Sequence, residues 1–553
     1  MGLRAASLFI ITSFFLSVVL GVPLPRTQQS LCRLCLRFTE KLVNGIQSNK
    51  TYEDVRPEVI DLCAKILNAE GYRGRVLCPG VMDSYGPPSF YILSELLLPP
   101  REICERLEFC RKHTNDHVIN QVNHVISDIL NAEWRHSNHN INYRRLQPIR
   151  ILQLTDIHLD HKYKVGTPVD CGMFTCCHEG MNGSGKAGQY GDYACDLPIA
   201  TLDLLTDHLQ QLNPQPDIIV YTGDNPPHDN WEESWQSQTN STNFLVKYLS
   251  TKLPNQTIYP AMGNHETFPE SFYYPPRYRN LTDALAEFWQ RWVELPENAL
   301  QTIRAGGFYT MLIRPGLRLM SINTDFGYLF NFYTLLNDKT PEFFSQQKWM
   351  EETLALSVRN GEKVIIIGHI APGHQSSITS YGDFYVPVVA KYRDIIVGQF
   401  FGHSHDDQFE VIHLNGNAAG VVYIAPSVTP RTDINPSYRV YMMDPMTFHL
   451  IDYKQYHMNL TEANILAEQN RTDEIKWKLA YTAREEYDLP DFTPNSWWNL
   501  TERFKHNSSL LLQYWKHKYA DSNVHHTCDK SCRRDLICST RSASKTQLNE
   551  CTL

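Results

Sequence analysis

Five short polar motifs, each placed where an apolar run ends, constrain the fold of this 553-residue chain more than any other feature. Runs of β-branched residues that stop at charged or glycine-containing loops are typical of buried strands. Because strand ends at one edge of a sheet lie together, we expect these motifs to share one place. The motifs are Asp156-x-His158, Gly223-Asp224, Gly263-Asn264-His265-Glu266, Gly368-His369 and Gly402-His403-x-His405.

Helical stretches lie between several of the apolar runs, for example at 200–212 and 346–358. Strands that alternate with helices predict an α/β sandwich with a largely buried sheet over 149–445. Beyond residue 445 the strand pattern stops, and 446–553 reads as a helical region that ends in a small cluster of cysteines.

The motifs supply the kinds of side chain that hold a pair of metal ions. Two carboxylates, one amide oxygen and four imidazoles are present, whereas a single zinc ion needs only three or four ligands. In extended backbone, Asp156 and His158 would point to the same side, as would His403 and His405. The glycines that precede the ligands allow tight turns where these side chains converge.

This ordered set resembles the signature of the calcineurin-like metallophosphoesterases. The resemblance implies one metal held by Asp156, His158, Asp224 and His405, and a second held by Asp224, Asn264, His369 and His403. Asp224 would bridge, because a carboxylate has two oxygens to share. Two cations about 3.5 to 4 Å apart bind phosphate oxygens, lower the pKa of a bridging water and orient the hydroxide for in-line attack on phosphorus.

The departing alkoxide needs a proton, and two histidines outside the ligand set are the candidates for its donor. They are His228 and His265, whose alternatives are a plain loop residue and a support for the metal ligands, respectively. A histidine is suitably protonated at mildly acidic pH. His374 either lines the same cleft or is structural.

The first 21 residues have the layout of a secretory signal. A short basic start precedes an apolar run of about 16 residues, which is shorter than the roughly 20 that span a bilayer; a signal anchor is the alternative. Secretion favours glycosylation. Nine asparagines stand in acceptor sequences: Asn49, Asn182, Asn240, Asn255, Asn280, Asn459, Asn470, Asn499 and Asn507.

The fourteen cysteines form three clusters, and their even number in an oxidising compartment favours disulfides over metal thiolates. Six of them, with helical spacing between, lie within 29–112 and resemble the saposin family of lipid-binding domains. That resemblance implies the pairs Cys32–Cys110, Cys35–Cys104 and Cys63–Cys78; a purely structural disulfide bundle is the alternative. Residues 113–148 would form a linker.

The other eight cysteines belong to two later clusters. In the cluster after the first metal motif we expect Cys171–Cys176 and Cys177–Cys195, with a cysteine-rich metal site as the competing interpretation. At the end of the chain we expect Cys528–Cys532 and Cys538–Cys551.

A saposin-like domain, this ligand set and a helical, disulfide-ended region together resemble the acid sphingomyelinases. The resemblance extends to 483–490 and to Trp497, and Tyr487 matches a family tyrosine thought to face the substrate cleft. It implies two zinc ions and hydrolysis of sphingomyelin to ceramide and phosphocholine, in secreted or lysosomal forms. A disulfide common within the family's catalytic domain is missing, since no cysteine lies between Cys195 and Cys528.

The function classes that remain are three. The first is the sphingomyelinase, a monomer acting on sphingomyelin-containing membranes or lipoproteins, with anionic lipids as further partners and no nucleic acid. The second is a phosphodiesterase for other phospholipids or nucleotide esters, and the third a lipid-presenting protein without activity. The net charge is −9 with histidine neutral, and protonation of the 22 histidines would reduce repulsion from anionic membranes as the pH falls toward 5.

Overall fold

The computed structural model describes residues 28–111, 147–275, 277–339, 342–414, 416–524 and 527–552. The expected secretory signal and nearly all of the expected linker lie outside these ranges. Among the described residues, no helix is both long and apolar enough to cross a membrane.

The N-terminal module consists of four helices linked by three disulfides. The helices are α1 (Gln28–Gln47), α2 (Tyr52–Ala69), α3 (Gly74–Leu96) and α4 (Pro100–Arg106). Thr51 begins α2 with a capping box in which its side chain and that of Asp54 each accept a backbone N–H. Apolar side chains at helical spacing, such as Val55, Val59 and Leu67, are buried inside the module.

Residues 149–482, called the catalytic unit because they carry the five motifs expected to bind metal, contain a sandwich of two six-stranded mixed sheets. The first has the order β12-β11-β10-β1-β2-β3 and the second β4-β5-β6-β7-β9-β8. The strands are β1 (Ile149–Leu154), β2 (Ile218–Tyr221), β3 (Ile258–Pro260), β4 (Tyr309–Arg314), β5 (Leu317–Ser321), β6 (Lys363–Ile367), β7 (Ile396–Phe401), β8 (Gln408–Leu414), β9 (Asn417–Ile424), β10 (Ser437–Met443), β11 (Leu450–Met458) and β12 (Trp477–Thr482).

The two sheets face each other across a buried core. The ring centres of Phe400 and Tyr441 lie 4.2 Å apart between them, and the Gln153 amide donates to the Phe401 carbonyl oxygen over 2.8 Å. Both β1–β2–β3 and β5–β6–β7 run parallel, so their carboxyl ends lie at the same end of each sheet. The predicted α/β sandwich is therefore the observed fold.

Helices connect and cover these strands. They are α5 (Ile199–Gln210), α6 (Trp235–Lys252), α7 (Arg279–Trp289), α8 (Glu297–Gly306), α9 (Glu342–Asn360), α10 (Thr379–Lys391), α11 (Leu460–Glu468), α12 (Ala483–Glu486), α13 (Pro494–His506), α14 (Ser508–Lys518), α15 (Lys530–Thr540) and α16 (Lys545–Glu550). The helices expected at 200–212 and 346–358 correspond to α5 and α9.

The expected end of the strand pattern at residue 445 is wrong. β11 pairs antiparallel with β10 and β12 with β11, so the first sheet continues 37 residues past that boundary to Thr482. Polar residues such as Asp452 and Lys454 alternate with buried ones in β11. An antiparallel strand with one solvent-exposed face shows this alternation instead of a continuous apolar run. The search for apolar runs in the sequence therefore missed β11.

All seven expected disulfides are present in the structure, three in the module and four in the catalytic and C-terminal regions. The cysteine-rich metal site is thereby wrong, because the four cysteines that would form it, at 171, 176, 177 and 195, are paired with one another.

The module packs directly on the catalytic unit. The Arg73 backbone N–H donates to the Gly172 carbonyl oxygen over 2.8 Å, and the Tyr85 hydroxyl donates to the buried Glu270 carboxylate over 3.1 Å. The Arg277 guanidinium lies 3.7 Å from the centre of the Tyr91 ring. Hydrogen bonds and ring contacts thus join the two parts at several separate points.

Candidate metal centre

The five polar motifs meet at the carboxyl ends of the parallel strands. Asp156 and His158 follow β1, Asp224 follows β2 and Asn264 follows β3, while His369 and the pair His403 and His405 follow β6 and β7. Asp156, His158 and His369 are fully buried, and Asp224 and Asn264 are each 2% exposed. The two sheets therefore bring together the residues that the sequence analysis proposed as ligands.

Asp224 lies at the middle of this cluster. Its Oδ2 atom is 3.0 Å from His369 Nε2 and 3.6 Å from His158 Nε2. Asp156 Oδ1 lies 3.5 Å from His405 Nε2, which is itself 3.2 Å from His158 Nε2. His403 also places a ring nitrogen within 4.8 Å of the ligand atoms of Asp224 and His369. One carboxylate thus faces imidazoles from both sheets.

The backbone at five of the seven proposed ligands is left-handed, which contradicts the extended conformation expected for both His-containing pairs. The φ angles are 50° at Asp156, 41° at His158, 64° at Asp224, 70° at His403 and 63° at His405. Such angles are uncommon outside glycine and cluster at functional sites, where the surrounding structure must enforce them. The side chains converge because the chain turns sharply after each strand.

The glycines of the motifs act mainly through close approach. Only Gly223, with φ of 95°, uses the freedom expected of it. A Cβ atom on Gly402 would lie 2.0 Å from Thr155 Oγ1, and one on Gly263 would lie 2.2 Å from Asp224 Oδ1. These positions exclude a side chain because a ligand carboxylate or its neighbour fills the space.

The second ring nitrogen of three histidines is fixed by the backbone. His158 Nδ1 lies 2.7 Å from the Pro226 carbonyl oxygen, His369 Nδ1 lies 2.7 Å from that of Thr222, and His405 Nδ1 lies 3.2 Å from that of Arg431. A hydrogen bond of this kind fixes the tautomer and leaves Nε2 as the metal-binding atom.

Asn264 gives a direct test of whether these residues fit a metal. Its amide nitrogen donates to Glu270 Oε1 over 2.5 Å, which fixes the amide orientation, and its Oδ1 is buried without a hydrogen-bond partner. Buried polar atoms of native proteins are nearly always satisfied, so the free Oδ1 of Asn264 fits the role of a ligand to a cation.

The pKa values of the buried groups also favour a bound cation. Burial raises the pKa of Asp156 to about 7 and lowers that of His265 to about 4. Burial opposes a charge on His369 as well, yet the neighbouring Asp224 and Asp156 raise its pKa to about 10. The pocket holds two carboxylates at a site that disfavours charge, and a divalent cation would neutralise them.

His228 and His265, the two candidates for the proton donor, lie beside the ligands. The ring of His228 is 4.1 Å from that of His158 and 4.5 Å from that of His265, centre to centre. The Asp196 carboxylate contacts His228 at two points. One carboxylate oxygen accepts from the His228 backbone N–H over 2.7 Å, and the other lies 2.8 Å from His228 Nδ1. His228 is therefore not a plain loop residue.

Two carboxylates of this site were missed by the sequence analysis. Asp196 lies in a loop before α5, and nothing in its local sequence signals a role. Glu266 accepts from the backbone N–H groups of Asp224, Asn225 and Gly263 over 2.6 to 3.1 Å. It thereby ties the loops after β2 and β3 together, and its place inside the Gly-Asn-His-Glu motif was the available signal.

The two candidate substrate residues have different positions. His374 Nδ1 lies 2.6 Å from Ser376 Oγ, which in turn lies 3.1 Å from His403 Nε2, so His374 is beside the cluster. Tyr487 is only 1% exposed and lies in an aromatic cluster against Tyr481. Its expected place in a substrate cleft is wrong, since the surrounding rings cover it.

An apolar cleft lies between the module and the catalytic unit. It contains about 880 Å³ of space, its open mouth included. Leu42, Ile92 and Leu107 line it from the module, and Phe272 and Phe330 from the catalytic unit. The cleft also reaches Ser271, whose hydroxyl lies 3.4 Å from the Asn264 amide nitrogen. An apolar space thus extends to the edge of the metal centre.

Comparison with known proteins gives consistent matches. Residues 149–407 match the family described as calcineurin-like phosphoesterase, and residues 417–552 match the acid sphingomyelin phosphodiesterase C-terminal region.

Curated relatives match over most of this chain. Sphingomyelin phosphodiesterase A of Dictyostelium discoideum is 32% identical over 550 residues, which cover 95% of this chain and 91% of that one. Sphingomyelin phosphodiesterase of Homo sapiens is 37% identical over 71% of this chain and 63% of its own length. The cyclic GMP-AMP phosphodiesterase of Homo sapiens is 32% identical over 72% of this chain and 88% of its own.

Proposed function

This chain belongs to the sphingomyelin phosphodiesterase family, and from that premise we propose that it hydrolyses sphingomyelin to ceramide and phosphocholine. The observation that carries the proposal is that His158, His369 and His403 gather around Asp224, next to an apolar cleft that reaches Ser271. The metal centre suits a phosphodiester, and the cleft suits the lipid chains attached to it.

Two zinc ions fit the donor set. Asp156, His158 and His405 with Asp224 make four donors for one ion, and Asn264, His369 and His403 with Asp224 make four for the other. Four ligands rich in imidazole are the usual environment of zinc. When bound, the pair would polarise the phosphate and supply an activated water.

His228 and His265 are proposed as the residues that bind the phosphate and protonate the departing alkoxide. Their ring nitrogens lie within 4.8 Å of proposed ligand atoms, and assignment of the seven proposed ligands to two four-coordinate sites leaves both histidines available for the substrate. Asp196 holds Nδ1 of His228 and so directs the ring toward the cluster. A histidine oriented by a carboxylate is a suitable proton donor to an oxygen within hydrogen-bond reach.

The N-terminal module is proposed to act as a saposin-like lipid-binding domain. A soluble enzyme must reach an ester that is packed among headgroups, and an apolar cleft next to the metal centre would accept a lipid chain drawn from the surface. We expect the partners to be sphingomyelin-containing membranes or lipoproteins.

Secretion or lysosomal delivery is proposed on separate grounds. All fourteen cysteines are paired, as is usual in oxidising compartments. Eight of the nine predicted glycosylation asparagines are exposed, and Asn459 is partly buried.

The test is a comparison of substrates with the purified protein, at pH 5 and pH 7, with and without a chelator. Sphingomyelin in mixed micelles should release phosphocholine, and the chelator should abolish the release until zinc is restored. Phosphatidylcholine and cyclic GMP-AMP serve as the competing substrates. A faster reaction on either one, or release that survives complete metal removal, would overturn the proposal.

A second variant set tests the proton donor. Replacement of His228 by alanine should lower kcat by about 100-fold or more, in line with general acid catalysis, while zinc content remains at two per chain. Loss of one zinc from His228→Ala would instead make His228 a ligand and contradict its proposed role.

A further inference from the structure

The backbone that supports His405 contains two left-handed residues in a row. Thr432 has φ of 79° and Asp433 has φ of 65°, and neither is a glycine. For a β-branched residue such as Thr432 this conformation is a genuine outlier. It persists only where surrounding contacts enforce it, so this turn must be held by its neighbours.

Arg431, immediately before the turn, provides such a contact. Its guanidinium is buried, and Nη2 donates to the Phe174 carbonyl oxygen over 2.9 Å. Its own carbonyl oxygen lies 3.2 Å from His405 Nδ1. The same residue is therefore anchored at one end to the disulfide-linked loop and at the other end to a metal ligand.

The loop that anchors Arg431 is in turn held by the N-terminal module. The ring of Phe174 lies 5.6 Å from that of Tyr72 in the module and 5.6 Å from that of Trp231 in the catalytic unit. Arg73 adds two hydrogen bonds, from its backbone N–H to the Gly172 carbonyl oxygen and from its guanidinium to that of Asn182, each over 2.8 Å.

We propose that Arg431 is a positioning residue that couples docking of the N-terminal module to the metal ligand His405, through Phe174. The inference rests on the ligand set of the proposed function. The path is continuous: Tyr72 packs on Phe174, the Phe174 carbonyl holds Arg431, and the Arg431 carbonyl orients His405. Release of the module would loosen the strained turn and, with it, the aim of His405 Nε2.

The experiment uses a matched pair of interface substitutions in the full chain, Tyr72→Ala and Tyr91→Ala. Both tyrosines are half-buried on the module and contact the catalytic unit, but Tyr91 contacts Arg277 and lies off the path. Zinc affinity is measured by competition with a chromogenic chelator, and kcat and KM with bis(4-nitrophenyl) phosphate, which needs no lipid surface.

We expect Tyr72→Ala to weaken binding of one zinc ion by about 10-fold and to lower kcat with little change in KM. Residues that orient metal ligands commonly contribute about 10–100-fold in affinity. Tyr91→Ala should stay within about twofold of the wild type in both quantities. Equal effects of the two substitutions, or none from either, would overturn the proposal.

Substitutions of Arg431 itself form the second part of the experiment. Arg431→Gln should weaken the same zinc site at least as much as Tyr72→Ala, and Arg431→Lys, which keeps a donor, should restore part of the loss. Should Tyr72→Ala fail to fold, Phe174→Leu keeps the bulk and removes the ring contact, with the same expected loss. Wild-type zinc affinity in Arg431→Gln refutes the path. A wild type that leaves sphingomyelin intact would refute the proposed function while the order of zinc affinities still decides this one.

Discussion

In the metal centre the proposed ligands are polar, and five of the seven have left-handed backbone, whereas the N-terminal module lines one side of an apolar cleft with disulfide-linked helices. The first region is held by hydrogen bonds, from backbone groups at five of the proposed ligands and from side chains at Asn264 and His403. The second is held by apolar packing and three disulfides. Precise placement of donors needs the first kind of support, and accommodation of a flexible lipid chain needs the second.

The two regions meet over a short distance. Phe272 lines the cleft, while the preceding Ser271 contacts Asn264 and Glu270 at the metal centre. A lipid chain in the cleft would therefore place its ester next to the ligands. Changes to the metal centre should affect every substrate equally, and changes to the lining of the cleft should affect lipid substrates alone.

The largest expected effect comes from Asp224→Asn. This substitution keeps the shape but removes the charge that the two proposed metal sites would share, so we expect kcat/KM to fall about 1,000-fold or more, equivalent to about 4 kcal/mol of barrier. The measurement is hydrolysis of sphingomyelin and of bis(4-nitrophenyl) phosphate. Asp207→Asn, at an exposed carboxylate of α5, is the control. If Asp224→Asn lost only the hydrolysis of sphingomyelin and kept that of the soluble ester, Asp224 would not belong to a metal centre that serves both substrates.

The next effect concerns the stability of the module. Removal of the Cys63–Cys78 disulfide by paired alanine substitutions should destabilise the module by about 3 kcal/mol, because the bond closes a loop of 15 residues. The measurement is amide hydrogen exchange in α2 and α3, together with both activities. Hydrolysis of the soluble ester should decrease much less than that of sphingomyelin.

The control for that change is removal of Cys528–Cys532, whose loop of 4 residues should contribute about 2 kcal/mol, outside the module. It should leave exchange in α2 and α3 unchanged. Faster exchange in the module after this control would show that the two regions do not unfold separately.

A smaller effect is expected from filling the cleft. Ser89 lines it from α3, and Ser89→Leu should lower kcat/KM for sphingomyelin about tenfold by occupying the space of a lipid chain. Ser84→Leu, on the same helix and similarly half-buried but outside the cleft, is the matched control. Equal rates for both variants on sphingomyelin would show that the cleft holds no part of the substrate.

Features of the fold and the site that depend on residues close together in the sequence could be predicted, whereas features that depend on contacts between distant residues could not. The candidate ligands follow from motifs that lie within the sequence, and the disulfide pairs of the module are implied by its resemblance to the saposin family. The left-handed backbone at Asp156 and His403 does not, because it results from tertiary contacts that force the turn. Asp196 and Arg431 are equally hidden, since only the fold brings them to His228 and His405.

The strands β11 and β12 and the burial of Tyr487 teach the same lesson in the C-terminal region. β11 exposes one face, so its polar residues mask the strand, and it is recognised only through its pairing with β10. Tyr487 is covered by rings such as Trp497 and Tyr514, which come from helices that follow it in sequence. A resemblance at one residue carries no information about such packing.

The smallest expected effect is on the pH dependence of the free energy of unfolding. The described residues of the module contain no histidine, so a contribution from histidine should come from outside the module. Burial disfavours a charge on His517, but its contacts with Asp521, 3.2 Å away, and Glu486, 2.5 Å away, prevail and raise its pKa. A raised pKa stabilises the fold fully below the unfolded value near 6.5, and this stabilisation is lost as the pH rises through the folded value. His517→Gln should therefore lower the free energy of unfolding more at pH 5.5 than at pH 8.5. Denaturant titration at both pH values measures the difference, with exposed His506→Gln as the control. A larger loss at pH 8.5 would reverse the sign and rule out charge pairing at His517 as the source.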